Sequence, residues 1–363
     1  MNINKITLTT LALAGLFGAA FADPIGQVYT ETNAAAGNQV QVYSRKDDGS
    51  LRFVNSFATG GNGTGAGLGS QGAVTLSENG RFLYAVDAGS NDLAVFEVSN
   101  RKLRFAGRFA TGGTTPISVT AHDDLVYVLN AGGAGNIAGF RQRPNGQLEP
   151  ISSSSRGLSG ANVGPAQVQF SPDGETLVVT EKGTGLIDTW PVLGSRPGNL
   201  FTTPSNSATP FGFDFDNRGH LVVSEAVGGA PNGSSASSYS LGQNGWQAVT
   251  GSAATNQTAA CWLQVSPDGR FAYTANAGSG SLSGFSISES GALTLLESNG
   301  VSASTGTGSH PVDMGFSRGG KFLYVLANGN GTLQGFRVAW DGSLTQAGSV
   351  SGIPTSAQGL AVR

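Results

Sequence analysis

"SPDGRFAYTANAGSGSLSGF", residues 266–285, reads as the end of one strand, a tight turn, a second strand, a polar corner and a third strand. Near-copies stand at 77–96, "SENGRFLYAVDAGSNDLAVF", and at 317–336, "SRGGKFLYVLANGNGTLQGF". Further copies are aligned by their first turns: Asn79-Gly80, Asp123-Asp124, Asp173-Gly174, Arg218-Gly219, Asp268-Gly269 and Gly319-Gly320. From Gly80 to Gly320 the mean spacing is 48 residues. A period of about 40 to 50 with four strands per unit is the mark of propeller blades. The segments flanking each turn are rich in β-branched and aromatic residues, as in "VQFS" before and "TLVVT" after. A second hairpin recurs as "DDGSL", "PNGQL", "ESGAL" and "WDGSL", whose Asp-Gly and Asn-Gly pairs suit two-residue turns with positive φ.

The two ends complete the count. Residues 26–57 supply second, third and fourth strands with no first strand before them. The closing "AQGLAVR", 357–363, resembles the first-strand text "SQGAVTL" at 70–76. The expected fold is therefore all-β, a seven-bladed β-propeller whose C-terminal strand completes the N-terminal blade and leaves no free edge. Six blades is the alternative, with the weakest copy, 212–261, as an insertion.

Composition agrees with many short strands. Gly accounts for 56 of 363 residues, about twice the usual share, and charged residues for 12%, about half of it. The formal charge is -3 with no basic patch, so nucleic acid is not expected as a partner. Residues 1–22 follow an export pattern: Lys5, an apolar stretch from Ile6 to Phe21, and Ala20-Phe21-Ala22 as a small-x-small cleavage site before Asp23. That apolar run is short for a membrane span. Residues 23–363 are expected to form one exported domain, periplasmic or secreted, and a monomer. A single Cys, Cys261 in "AACWLQV", allows no internal disulfide and reads as a buried structural thiol.

Propeller geometry sorts the candidate functional residues. Loops leading into first strands share one face with the corners that follow second strands. At those corners stand Asn33, Asp87, Asn130, Glu181, Glu225, Asn276 and Asn328, a ring of amides and acids expected around one channel mouth. Asn and Asp are ordinary corner residues; Glu is a poorer turn-former, so Glu181 and Glu225 point toward function. The first strands begin at Gln71, Pro116, Pro165, Pro210, Ala260, Pro311 and Gln358. His310, beside Pro311 and three residues before Asp313, is placed at the same mouth, where a His can serve as general base. Lys182 is the clearest cation there, and most Arg and Lys fall on the opposite face. A strongly anionic ligand normally meets Arg forks, so the ligand expected here is small and uncharged. The Gly-rich "GNGTGAGLGSQG", 61–72, has no helix after it and reads as a mobile loop over the mouth rather than a phosphate cradle. No cofactor is expected; three acids at one mouth leave room for a divalent cation.

The repeated text, with "SPDGETLVVTEKG" and "GGKFLYVLANGNGTLQGF", resembles the seven-bladed lactonase family, which includes 6-phosphogluconolactonase-like proteins and fungal carboxymuconate-cyclising enzymes. The resemblance spans nearly all of residues 23–363 and implies a carboxylic ester hydrolase. It also implies a Glu at the end of a second strand, matched by Glu225 in "VVSEAVGG". Where the family's His-Pro-His is expected, Gly164-Pro165-Ala166 stands; where its Pro-Arg-His is expected, Pro210-Phe211-Gly212 stands. Two readings follow. One is a lactonase-like enzyme acting on a small neutral lactone, with Glu225 as base and His310 or Lys182 assisting. The other is a non-catalytic propeller that binds a small ligand or a protein. Gln71, Asp87, Asn130, Glu181, Asn276, Asn328 and Asp313 are the candidate ligand-binding residues in either case.

Overall fold

Each "SPDG" copy builds its turn in the same way in the computed structural model, which describes residues 26–99, 102–242 and 245–363. Ser266 Oγ donates to Asp268 Oδ1 at 2.6 Å and accepts from the Phe271 amide at 3.0 Å. Ser171 does the same with Asp173 and Thr176, and Ser77 with Asn79 and Phe82. The Gly that follows sits at φ 66 to 71° in Gly80, Gly174, Gly269 and Gly320, a conformation that Gly adopts without strain. The repeated letters thus specify one local hydrogen-bond pattern.

Among the described residues these turns link seven antiparallel sheets, four of four strands and three of five, in which two short strands share the outer edge. Blade 1 joins Gln358–Val362 to Gly26–Glu31, Gln39–Arg45 and Leu51–Ala58, so the last strand of the chain closes the first blade. The first strands of blades 2 to 7 are Val74–Leu76, Pro116–His122, Pro165–Phe170, Pro210–Phe215, Ala260–Val265 and Pro311–Phe316. The stretch 212–261 is no insertion: Pro210–Phe215, Leu221–Glu225, Ser235–Gly242 and Gly245–Ala254 form blade 5. The expected signal peptide lies outside the described residues. No helix among them is long and apolar enough to cross a membrane.

Second strands such as Phe82–Asp87, Leu125–Asn130, Phe271–Asn276 and Phe322–Ala327 are buried along their whole length. Each packs on a neighbouring blade on both faces, so its sequence runs continuously apolar rather than alternating. Outer strands such as Leu344–Ser351 are largely exposed and polar. Tyr84, Tyr127, Tyr273 and Tyr324 hold one position in four second strands, and all are fully buried. Their hydroxyls donate to the following blade: to Gln142 Oε1 at 2.7 Å, Ser195 O at 2.8 Å, Gly342 O at 2.6 Å and Gly49 O at 2.9 Å. A buried Tyr needs such a partner for its O–H, so each seam is both packed and aligned. Between blades 4 and 5, where Val178 replaces Tyr, the Trp246 indole N–H donates to Thr189 Oγ1 at 3.0 Å.

Candidate functional site: the two ends of the central channel

Proline at the start of a first strand suits a position that gives no ladder hydrogen bond from its nitrogen. Pro116, Pro165, Pro210 and Ala260 pair with Asn130, Glu181, Glu225 and Asn276. The same position falls on Ala327 opposite Pro311 and on Glu31 opposite Gln358. The ring therefore includes Glu31 and Ala327 where Asn33 and Asn328 were expected. A bulge follows the pair in each of these six blades and re-aims the next side chains.

The ring does not line an open mouth, which corrects the sequence expectation. Glu31, Asp87, Asn130, Glu181, Glu225 and Asn276 have no exposed surface. Glu225 is held by four donors: Ser205 Oγ (2.9 Å), the Ser207 amide (2.9 Å), Ser237 Oγ (2.8 Å) and Ser235 Oγ (2.6 Å). Glu181 accepts from Ser159 N at 3.0 Å, Ser159 Oγ at 2.5 Å and Thr184 Oγ1 at 2.6 Å. Asp188 shares the Ser159 amide at 3.0 Å. Burial, together with the neighbouring Glu181, raises the Asp188 pKa, so this pair retains a proton. Asp87 Oδ1 accepts from Asn38 Nδ2 at 3.0 Å and Thr59 Oγ1 at 2.7 Å. The same Asn38 amide donates to Glu31 Oε2 at 3.0 Å. Asn276 donates to Ser281 and Ser283 hydroxyls, and Asn328 to Ala357 O at 3.2 Å. Asn130 donates to Thr111 O at 3.3 Å. Each side chain thus fixes a corner within its own seam. Asp87, Glu181 and Glu225 occupy separate nests, and among the described residues no three His, Cys, Asp or Glu side chains gather as a metal site.

The Gly-rich segment is bonded into the mouth rather than suspended over it. Blade 2 contributes only Val74–Leu76 as its first strand, because residues 68–72 leave the blade and cross the channel. Leu68 N donates to Gln358 Oε1 at 3.3 Å in blade 1, and Ser70 Oγ to Ile117 O at 2.8 Å in blade 3. Gln71 N donates to Ala166 O at 3.0 Å in blade 4. In blade 6 the Trp262 indole donates to Ser70 O at 2.8 Å. Gly72 N donates to Asp313 Oδ2 at 3.3 Å in blade 7. Ser70 and Gln71 are buried, and a Cβ on Gly212 would meet Gln71 Oε1 at 2.2 Å, so blade 5 also abuts this plug.

Lys182 lies against the plug. Its ammonium donates to Gly69 O and stands 4.8 Å from the centre of the Phe211 ring, which itself packs on Trp262 at 4.9 Å. Desolvation lowers its pKa. Desolvation also pushes the nearby Cys261 thiol, which is half-buried rather than fully buried, up to about 12. His310 is exposed at φ 45°, and among the described residues its ring makes no hydrogen bond. Glu225, His310 and Lys182 come from blades 5, 7 and 4 and make no hydrogen bond with one another. Asp313 is buried on the channel wall, where its carboxylate accepts from Gly72 N and, at 2.9 Å, from Met314 N.

The plug closes one end of a cavity of about 410 Å³ that opens on the opposite face. A single register forms its polar wall: Thr75, Thr120, Gln169, Asp214 and Gln264 are the channel-side partners of the second-strand position that carries Tyr or Val. Gln169 Nε2 donates to Asp214 Oδ1 at 2.8 Å, and Val265 N donates to Oδ2 at 3.0 Å. Asp214 and Gln264 did not figure among the sequence candidates. An acid between two Phe in "PFGFDF", and a Gln between Leu and Val in "CWLQV", were the available signals.

The comparisons agree with this architecture. The family described as "Lactonase, 7-bladed beta-propeller" matches residues 35–157 and 226–357. A periplasmic gluconolactonase of Pseudomonas aeruginosa is similar in structure at 18% identity and TM-score 0.72, covering 93% of this chain and 98% of that one. A Bacteroides fragilis protein with a provisional 6-phosphogluconolactonase assignment is similar at 17% identity and TM-score 0.75, covering 95% and 100%. Among curated protein sequences none matches. The match to the family over most of the chain, on a ring of seven closed blades, shows that this protein belongs to the seven-bladed β-propeller lactonase family.

Proposed function

We propose that the chain is an exported lactonase-like hydrolase that opens a small, uncharged ring ester at the plugged mouth, with Lys182 polarising the carbonyl. The observation carrying this reading is the desolvated Lys182 ammonium, packed on Phe211 with Gly69 O as its one hydrogen-bond acceptor among the described residues. An ammonium has three N–H donors, so two remain for a substrate oxygen. Charge that develops on a lactone carbonyl as water adds is stabilised by a donor already fixed in a site of low polarity. His310, exposed on the same face, is the proton acceptor for that water. Glu225, already satisfied by four donors, holds the 205–209 loop in place rather than taking a proton. Export rests on the leader pattern of residues 1–22.

A binding role without turnover is the second reading, favoured by Glu225, Lys182 and His310 coming from three blades with no hydrogen bond among them. A panel of neutral and phosphorylated lactones decides between them. The enzyme reading expects opening of neutral rings that falls about 100-fold or more in Lys182→Met, the scale of losing one preorganised oxyanion donor. Saturable lactone binding with no ring opening supports the second reading. Equal turnover by wild type and Lys182→Met overturns the role given to Lys182.

A further inference from the structure

We propose that the cavity on the face opposite the plug is a second ligand site, built to take a small organic ammonium ion. It is separate from the mouth, and it stands whether or not the mouth is catalytic. The space is about 410 Å³, within the size range of small-molecule sites, and it is blind at the plug and open at the far end. A ligand therefore enters from one side and is enclosed by the first strands.

The wall sets the charge of the occupant. Asp214 of blade 5 and Asp313 of blade 7 both line the cavity, and among the described residues no Lys or Arg does. Asp214 is partly exposed to the space, with its oxygens anchored by Gln169, Phe215 N and Val265 N. Gln264, on the blade between the two acids, is partly exposed, and its amide makes no hydrogen bond among the described residues. Carboxylates removed from water are normally paired with a cation, and a concave wall of one sign concentrates its field within the space. Phe170, Phe215 and Phe316 end their strands at the open end, where their rings pack in the blade seams on Tyr127, Trp246 and Tyr273 and leave the polar groups of the wall to meet an occupant. Glu78 stands at the rim, 2.7 Å from His122 Nδ1, and adds a further acid along the way in. A primary ammonium meets carboxylate acceptors at depth, in Asp214 and Asp313, and Glu78 at the rim.

The site can be probed with 1,4-diaminobutane, butylammonium and the uncharged butanol and sorbitol, titrated calorimetrically into the purified full chain at pH 8. Saturable binding of the ammonium probes at one site is expected, at least 10-fold tighter than of either uncharged probe. Asp214→Asn is expected to weaken it 10-fold or more. Ala121→Phe, which narrows the rim without touching either acid, is expected to block it while thermal unfolding stays cooperative. The proposal is overturned if the uncharged probes bind as tightly, if both variants bind as wild type, or if no ammonium probe saturates up to 10 mM.

Discussion

Gln71 and Leu263, 192 residues apart, exchange two hydrogen bonds across the channel: Gln71 Nε2 donates to Leu263 O at 2.7 Å, and Leu263 N donates to Gln71 Oε1 at 2.9 Å. Both residues are buried, and the Gln side chain stands in for a neighbouring strand. Gln71→Ala leaves a buried amide and carbonyl without partners, at roughly 1–3 kcal/mol each. The variant is expected to lose about 2–5 kcal/mol in urea unfolding, far more than a substitution on a mobile surface loop. A loss below about 0.5 kcal/mol, the usual range for surface changes, means the plug does not brace the ring.

The sequence made the ring legible and the plug illegible for the same reason, the range over which each is specified. "SPDG" fixes its turn through Ser266, Asp268 and Phe271, all within six residues, and the period then counts the blades. Gln71 finds its partner only after the ring has closed. The missing proline was a usable sign: Gln71 was aligned with Pro116, Pro165 and Pro210, yet its strand begins at Val74. The corner ring failed in two blades because blade 1 ends its second strand at Glu31 and blade 7 at Ala327, so Asn33 and Asn328 lie one or two residues beyond. The residues at the other corners were correctly located, but their burial was not: alternation indicates which face a side chain takes, not whether a neighbouring blade covers it.

Glu225 offers a way to separate architecture from chemistry. Glu225→Gln presents an NH₂ group to a nest made of four donors, so at least one Ser must turn away or go unpaired. The expected outcome is a loss of about 2–4 kcal/mol, since hydrogen bonds to a charged acceptor are the stronger kind and buried donors are costly to orphan. Thermal unfolding checks this directly. A stable Glu225→Gln protein with abolished lactone turnover contradicts the structural role and restores Glu225 as the base.

Stability is expected to fall as pH rises between about 4 and 7. Burial pushes Asp313 up to about 7 and Asp87 to about 6, both from an ordinary value of 3.8. Across that window the folded chain keeps protons that the unfolded chain has released, so the native state binds more protons and raising the pH favours unfolding. Each such carboxyl contributes a slope of up to about 1.4 kcal/mol per pH unit until it ionises. Urea midpoints at pH 4.5, 6 and 7.5 measure the trend. Asp313→Asn removes one titrating group and is expected to flatten it, most visibly between pH 5 and 7. A midpoint that rises over this range contradicts the assignment.

Asp188 makes a sharper case, because its neighbour is another acid. Asp188 retains a proton through burial and through Glu181, with which it shares the Ser159 amide. Asp188→Asn supplies permanently the N–H that the protonated acid supplies only at lower pH, and it removes a like charge from a buried seam. The variant is therefore expected to match wild type near pH 5 and to exceed it at pH 9, where the wild-type pair must carry a second charge. The gain expected at pH 9 is about 1 kcal/mol or more, the value of roughly one unit of pKa displacement. Denaturation curves at the two pH values give the comparison. A variant less stable than wild type at both means that Asp188 is ionised throughout and that its charge is compensated within the seam.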